Sequence, residues 1–160
     1  MHARARIFLG ILAAGIATTT AAWAANNGYH GSLCNPFSPN DVPKLKYDKW
    51  GVRNISVTEK ANVTCGASPA VSSNVTKVEV VVYDRDPVED VCCSIYIQKA
   101  AGNVITSAMK CSSGFASAAQ TLSYSPPVNA VETMSMVCSI PKTNPANGDS
   151  HVVSYRVNTN

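Results

Sequence analysis

Residues 76–111, TKVEVVVYDRDPVEDVCCSIYIQKAAGNVITSAMKC, alternate apolar and polar side chains over two long runs separated by an acidic turn. A period of two places one set of side chains on a buried face and the other in solvent, which is the signature of a half-buried β-strand. Over 76–83 the buried set is Val78, Val80 and Val82, against Lys77 and Glu79. Over 91–98 it is Val91, Cys93, Ile95 and Ile97, with Cys92, Ser94, Tyr96 and Gln98 facing the other way. A third strand, 103–111, follows a tight turn at Ala101-Gly102.

The same period recurs on either side. Strands are expected at 52–58 (Ile55 and Val57 inward, Asn54 and Ser56 outward) and at 60–66 (Ala61, Val63 and Cys65 inward). Others are expected at 118–124 (Leu122, Tyr124), 131–140 (Met134, Met136, Cys138, Ile140) and 151–157 (Val153, Tyr155, Val157). Eight short strands with turn residues between them and no helical period predict an all-β fold, a two-sheet antiparallel β-sandwich. An immunoglobulin-like and a jelly-roll strand order both satisfy this pattern. Residues 25–50, rich in Asn, Gly and Pro and without a period, read as an N-terminal arm, and 51–160 as the sandwich domain.

Residues 1–24 read as a secretory signal peptide. Arg4 and Arg6 precede an apolar run from Ile7 to Ala17, and Ala22-Trp23-Ala24 supplies the small-x-small cleavage pattern. The run is too short to span a bilayer as a helix, and Leu33 is too bulky to precede a lipid-anchored Cys34. With the leader removed, eleven basic residues of the 13 face ten acidic ones. That balance gives no basic field to gather nucleic acid or an anionic membrane, and the localisation expected is secreted, periplasmic or cell-surface.

Six cysteines behind such a leader favour disulfides over zinc, since no C-x-x-C pair is present and the mature chain holds only His30 and His151. Adjacent Cys92 and Cys93 point to opposite faces of one strand and do not bond to each other. An even-numbered turn at Ala101-Gly102 sets Cys92 opposite Cys111, which predicts a Cys92–Cys111 bridge. Cys93–Cys138 is expected to cross between the sheets, and Cys34–Cys65 to tie down the arm.

Four carboxylates in the turn, Asp84, Asp86, Glu89 and Asp90, are candidate oxygen ligands for calcium. Their spacing matches no EF-hand loop, and Arg85 is expected to pair with one of them, so a solvated turn is the competing reading. Tyr29, Tyr47, Trp50, Tyr83 and Tyr96 offer ring faces on which a glycan could stack. Tyr96, with Ile105 and Met109 beside the Cys92–Cys111 bridge, is expected to form an outward apolar patch for a protein partner, for self-association or for the N-terminal arm. A hydrolase would need a serine and a carboxylate gathered at His30 or His151, and no nucleophile-elbow motif is present. Asn54, Asn62 and Asn74 each begin an N-glycosylation acceptor triplet, with no glycans assumed. The function expected is therefore non-enzymatic, a structural or partner-binding module. The alternative is a carbohydrate- or calcium-dependent ligand-binding sandwich.

Leu33-Cys34, Val63-Thr64-Cys65, Val80-Val81-Val82-Tyr83-Asp84-Arg85, Cys93, Val137-Cys138-Ser139-Ile140-Pro141 and Ser154-Tyr155-Arg156-Val157 together resemble a group of uncharacterised small secreted bacterial β-sandwich proteins. Cys92 and Cys111 are additional to that pattern. The resemblance implies the fold and carries no activity.

Overall fold

The computed structural model describes residues 25–67, 74–99, 102–126 and 131–159; the expected leader, 1–24, lies outside them. In chain order the strands are β1 (Ala25–His30), β2 (Asn35–Pro36), β3 (Leu45–Asp48), β4 (Gly51–Asn54), β5 (Ala61–Ala67), β6 (Val75–Tyr83), β7 (Cys92–Lys99), β8 (Val104–Thr106), β9 (Lys110–Cys111), β10 (Gln120–Tyr124), β11 (Val131–Ile140) and β12 (His151–Thr159). Short 3-10 turns at Gly31–Leu33 and Pro39–Lys44 link the first three.

Two antiparallel sheets face each other. Sheet A runs β10-β6-β12-β4-β3, with β1 also paired to β12. Sheet B runs β2-β5-β11-β7-β8, with β9 also paired to β7. The core between them is filled by the rows the alternation predicts. Val78, Val80 and Val82 of β6 and Leu122 and Tyr124 of β10 pack toward Val63 and Cys65 of β5, Met134, Met136 and Ile140 of β11, and Ile95 and Ile97 of β7. Two buried tyrosines of sheet A also bond to sheet B. Tyr155 Oη donates to the Gly66 carbonyl and Tyr124 Oη to the Cys93 carbonyl, each at 2.7 Å. Burial pushes the Tyr124 hydroxyl up to about 12, so it stays a donor at any physiological pH.

Residues 25–50 do more than lie across the domain: they contribute β1, β2 and β3. β1 pairs with β12 from Ala25↔Thr159 to His30↔Ser154, beside the short β4 contact at Val152↔Val52. The handover between β1 and β4 coincides with a shift of register in β12 between Val152 and Ser154. This extra residue moves the inward position from the expected Val153 to Val152, which is fully buried. Gly31 and Gly51 press on the same place. A Cβ on Gly51 would lie 2.0 Å from the Val152 carbonyl oxygen, and one on Gly31 2.1 Å from it; Gly51 also has φ of 115°.

The expected strand 52–58 is overturned by its own asparagine. β4 stops at Asn54, which is completely buried, while Ile55 and Val57 are exposed. Asn54 Nδ2 donates to the carbonyls of Glu59, Ile140 and Pro141, and its Oδ1 accepts from Ser56 N. One amide side chain thus satisfies four backbone groups at the end of the sandwich, and it is no outward glycan acceptor. Asn62 is half-buried and Asn74 exposed.

Candidate functional site

The three disulfides are Cys34–Cys65, Cys92–Cys111 and Cys93–Cys138. Cys92 stands directly opposite Cys111, and Cys93 opposite Cys138 on β11. Cys93–Cys138 therefore joins neighbouring strands of sheet B rather than crossing between sheets, because β7 and β11 are adjacent. Cys34 precedes β2, whose Asn35 pairs with Thr64, so Cys34–Cys65 is also a link within sheet B.

The acidic turn is folded inward. Asp84 and Asp86 are buried. Asp84 accepts from Asp86 N and from the hydroxyls of Ser112 and Ser150; Asp86 Oδ1 accepts from Val88 N at 2.8 Å and Glu89 N at 3.0 Å. Asp90 Oδ1 accepts from Gly114 N at 2.9 Å, and Glu89 pairs with Lys60 at 3.2 Å. The turn is not a solvated one: its carboxylates accept from peptide nitrogens and hydroxyls, and Glu89 pairs with a lysine. No group of three or more His, Cys, Asp or Glu among the described residues is placed to hold a metal ion. Arg85 pairs with none of these acids. Alternation sends Asp84 and Asp86 inward and Arg85 outward.

The Tyr96 patch is also rearranged. Tyr96 pairs with Thr106 and Ile97 with Ile105, whereas Cys92 pairs with Cys111. Residues 107–109 therefore hold one extra position, and Ser107 bridges it by donating its N–H to the Ile95 carbonyl and accepting from Ile95 N. The slip turns Ile105 to the face of Ile97, against the core, while Tyr96 stays on the outer face and Met109 is 65 % exposed.

A different surface gathers the polar chemistry. On the outer face of sheet A, cross-strand pairing sets Thr121, Val81, Ser154 and His30 in one row and Ser123, Glu79, Arg156 and Gly28 in the next. These rows line a shallow depression of about 540 Å³. Its floor is low because Gly28 has no side chain, and a Cβ built there would meet nothing within 4 Å. One end is closed by charges: Glu79 bonds Lys77 at 2.6 Å and Arg156 at 3.7 Å. The Lys77 hydrogen bond, with both cations nearby, holds the Glu79 carboxyl below the usual range.

Past the Val81–Ser154 row, outside the depression itself, the same face is aromatic. Tyr83 and His151 stack with ring centroids 4.9 Å apart, and Arg53 beyond them is held by Asp48 at 3.1 Å and Asp149 at 3.0 Å. Burial lowers the His151 pKa, so its ring is neutral at pH 7. His151 Nδ1 faces the Asp149 carbonyl at 3.2 Å. His30 does meet a serine, Ser32, at 2.7 Å, but it also accepts from Ser32 N as the cap of the Gly31–Leu33 turn, and its Nε2 faces the Lys49 carbonyl. Trp50, at the β3–β4 turn, is 59 % exposed beneath the Lys49 ammonium, Tyr47 lies on the edge strand β3, and Tyr29 stacks on Tyr155. Of the expected aromatics, Tyr29 lines the depression together with Tyr155, on which it stacks, and Tyr83 lies one row outside it on the same face. Glu79, Arg156, Ser154 and Gly28 were not singled out by the sequence, since their common row depends on which strand pairs with β12.

No family model matches the chain, and no curated protein matches it in sequence. Solved structures do match in fold. A xylan-binding module, CBM15, superposes with a TM-score of 0.51 at 13 % identity, covering 86 % of this chain and 96 % of that one. The CBM36-1 domain of a multidomain xylanase from the hindgut metagenome of Trinervitermes trinervoides gives 0.48 at 6 %, covering 83 % and 96 %. The low-affinity xylan-binding module CBM86 of Roseburia intestinalis gives 0.43 at 12 %, covering 85 % and 96 %. The similarity to the first is one of fold, a two-sheet antiparallel sandwich.

Proposed function

We propose that this protein is a non-catalytic, extracellular carbohydrate-binding module whose site is the outer face of sheet A. The observation that carries the reading is the trough itself. It is shallow and open, Gly28 keeps its floor low, the Glu79–Arg156 ion pair and the stacked Tyr29 and Tyr155 line it, and the Tyr83–His151 stack continues the same face one row further on. Hydroxyls of Ser154 and Thr121 and the charges of Glu79 and Arg156 offer the directional partners that sugar hydroxyls require, and a planar ring pair offers the apolar face. The likeness to a xylan-binding sandwich supports the reading and suggests a β-linked polysaccharide as its ligand. The disulfides agree with an oxidising location such as the periplasm or the cell exterior.

Affinity electrophoresis and calorimetry against xylan, β-1,4-galactan, β-glucan and chitin test this. The wild-type protein is expected to bind at least one of them, and Gly28→Leu, which fills the trough without straining the backbone, to bind none. Failure of the wild type across the panel would overturn the reading.

A second reading rests on the opposite face. Tyr96, with exposed Val104 and Met109 nearby, offers the apolar contact of a protein partner or a second copy. Tyr96→Asp is then expected to dissolve any oligomer seen by sedimentation; a wild-type monomer at high concentration removes self-association.

A further inference from the structure

The cations on the outer face of sheet A are not equivalent. Arg53 is neutralised by Asp48 and Asp149, and Lys77 and Arg156 share Glu79. Arg85 has no carboxylate within ion-pair distance among the described residues, although it lies in the most acidic stretch of the chain. Its neighbours Asp84 and Asp86 are turned into the protein, and Asp90 and Glu89 are engaged elsewhere. Its backbone is fixed, because Arg85 N donates to Ser150 Oγ at 2.8 Å. Its guanidinium is placed too, 5.3 Å from the Tyr83 ring centroid and 5.9 Å from that of Phe115. Aromatic contact positions a guanidinium without consuming its N–H donors. The result is a half-buried cation, oriented in advance, with its hydrogen-bonding edge uncommitted and the Tyr83–His151 stack beside it.

We infer that Arg85 is an anion-reading group beside the Tyr83–His151 stack, on the face that continues the trough, and that the preferred ligand is an acidic glycan whose uronic-acid carboxylate meets this guanidinium while the sugar ring lies against Tyr83 and His151. The inference rests on the carbohydrate reading above and adds the charge of the ligand to it. A carboxylate matches the planar fork of a guanidinium with two parallel hydrogen bonds, which a neutral hydroxymethyl group cannot do. A preplaced side chain also loses little conformational freedom on binding. Burial keeps His151 neutral, so Arg85 brings a positive charge to the stack that the imidazole does not.

The test compares glucuronoxylan with the same polysaccharide after carboxyl reduction, which converts each uronic acid to its neutral sugar and leaves the backbone intact. Wild-type protein is expected to bind the acidic form about tenfold more tightly at low salt, the scale of one charge-assisted pair. That preference should shrink as sodium chloride is added. Arg85→Gln is expected to bind both forms with the affinity that wild type shows for the reduced one, at an unchanged melting temperature, and Arg85→Lys to recover part of the preference. Equal wild-type affinity for the two forms, or a preference that survives Arg85→Gln, overturns the inference while leaving the carbohydrate reading standing. Binding to neither form, nor to any neutral glycan, overturns both.

Discussion

Sheet B carries all three disulfides, joining β2 to β5, β11 to β7 and β7 to β9, whereas sheet A carries none and closes on valine packing and on the approach of Gly31 and Gly51 to the Val152 carbonyl. The outer faces differ as well. Sheet A presents Glu79, Arg156, Lys77, Arg53 and the neutral His151, while the central rows of sheet B present Asn62, Thr64, Ser94, Tyr96, Ser135, Val137 and Ser139, with no charged side chain. Covalent ties act mainly by narrowing the unfolded ensemble, and a glycine contact acts on the native backbone. The sheet with the candidate site is therefore the one whose shape depends on close packing. Stability and binding are expected to respond to different residues.

The largest effect that would separate the sheets is loss of Cys93–Cys138. Its loop spans 45 residues, and replacing both cysteines by Ala should lower unfolding free energy by about 4 kcal/mol, read from denaturant midpoints. If the sheets are independent in this sense, glycan affinity of the fraction that remains folded stays unchanged. Next comes Gly51→Ala in sheet A. A methyl 2.0 Å from a backbone oxygen, at a φ of 115°, should cost about 3 kcal/mol. It should also weaken binding, because β12 must shift beneath His151. A Gly51→Ala protein with full stability would break the comparison.

A smaller effect is set by pH. Burial holds the native His151 pKa below its ordinary 6.5, so on acidification the unfolded chain takes up a proton before the native one does. Its contribution is present above about pH 6.5 and is lost as pH falls toward the native value. The wild type should therefore lose more stability between pH 7.5 and 5.5 than His151→Gln does. The smallest effect belongs to Gly28→Leu, expected to leave stability within about 0.5 kcal/mol while removing binding.

The alternation in 76–83, 91–98 and 131–140 was legible because each of these strands has one dry face, and a period of two then leaves little freedom of register. Cys92–Cys111 was met by two offsetting steps: the register at the turn, Tyr96↔Thr106, would set Cys92 opposite Lys110, and the extra position at 107–109 brings Cys111 there instead. What escaped was every place where one residue is added. The extra positions at Val153 and at 107–109 invert inward and outward on their N-terminal side, and apolar composition alone does not reveal such a step. Asn54 escaped because a buried amide with four backbone partners has the same letter as a solvated one. β1 escaped because Asn26, Asn27 and Gly28 show no hydrophobic alternation; its pairing is supplied by β12, more than a hundred residues away. The trough depends on two of these, the pairing of β1 and the step at Val153, so its residues had no local signature.

The pairing of β12 sets an order of events. Every strand of sheet A pairs with β12 or with a strand that does, and β12 comes from residues 151–159. All strands of sheet B lie between residues 35 and 140. A chain emerging from its N-terminus can therefore pair and oxidise sheet B while the central strand of sheet A has yet to arrive, leaving the valine row of β6 uncovered on one edge and β1 waiting for its partner. The proposed binding face is thus the last part of this protein to form: it does not exist until the final strand slides between β6 and β1.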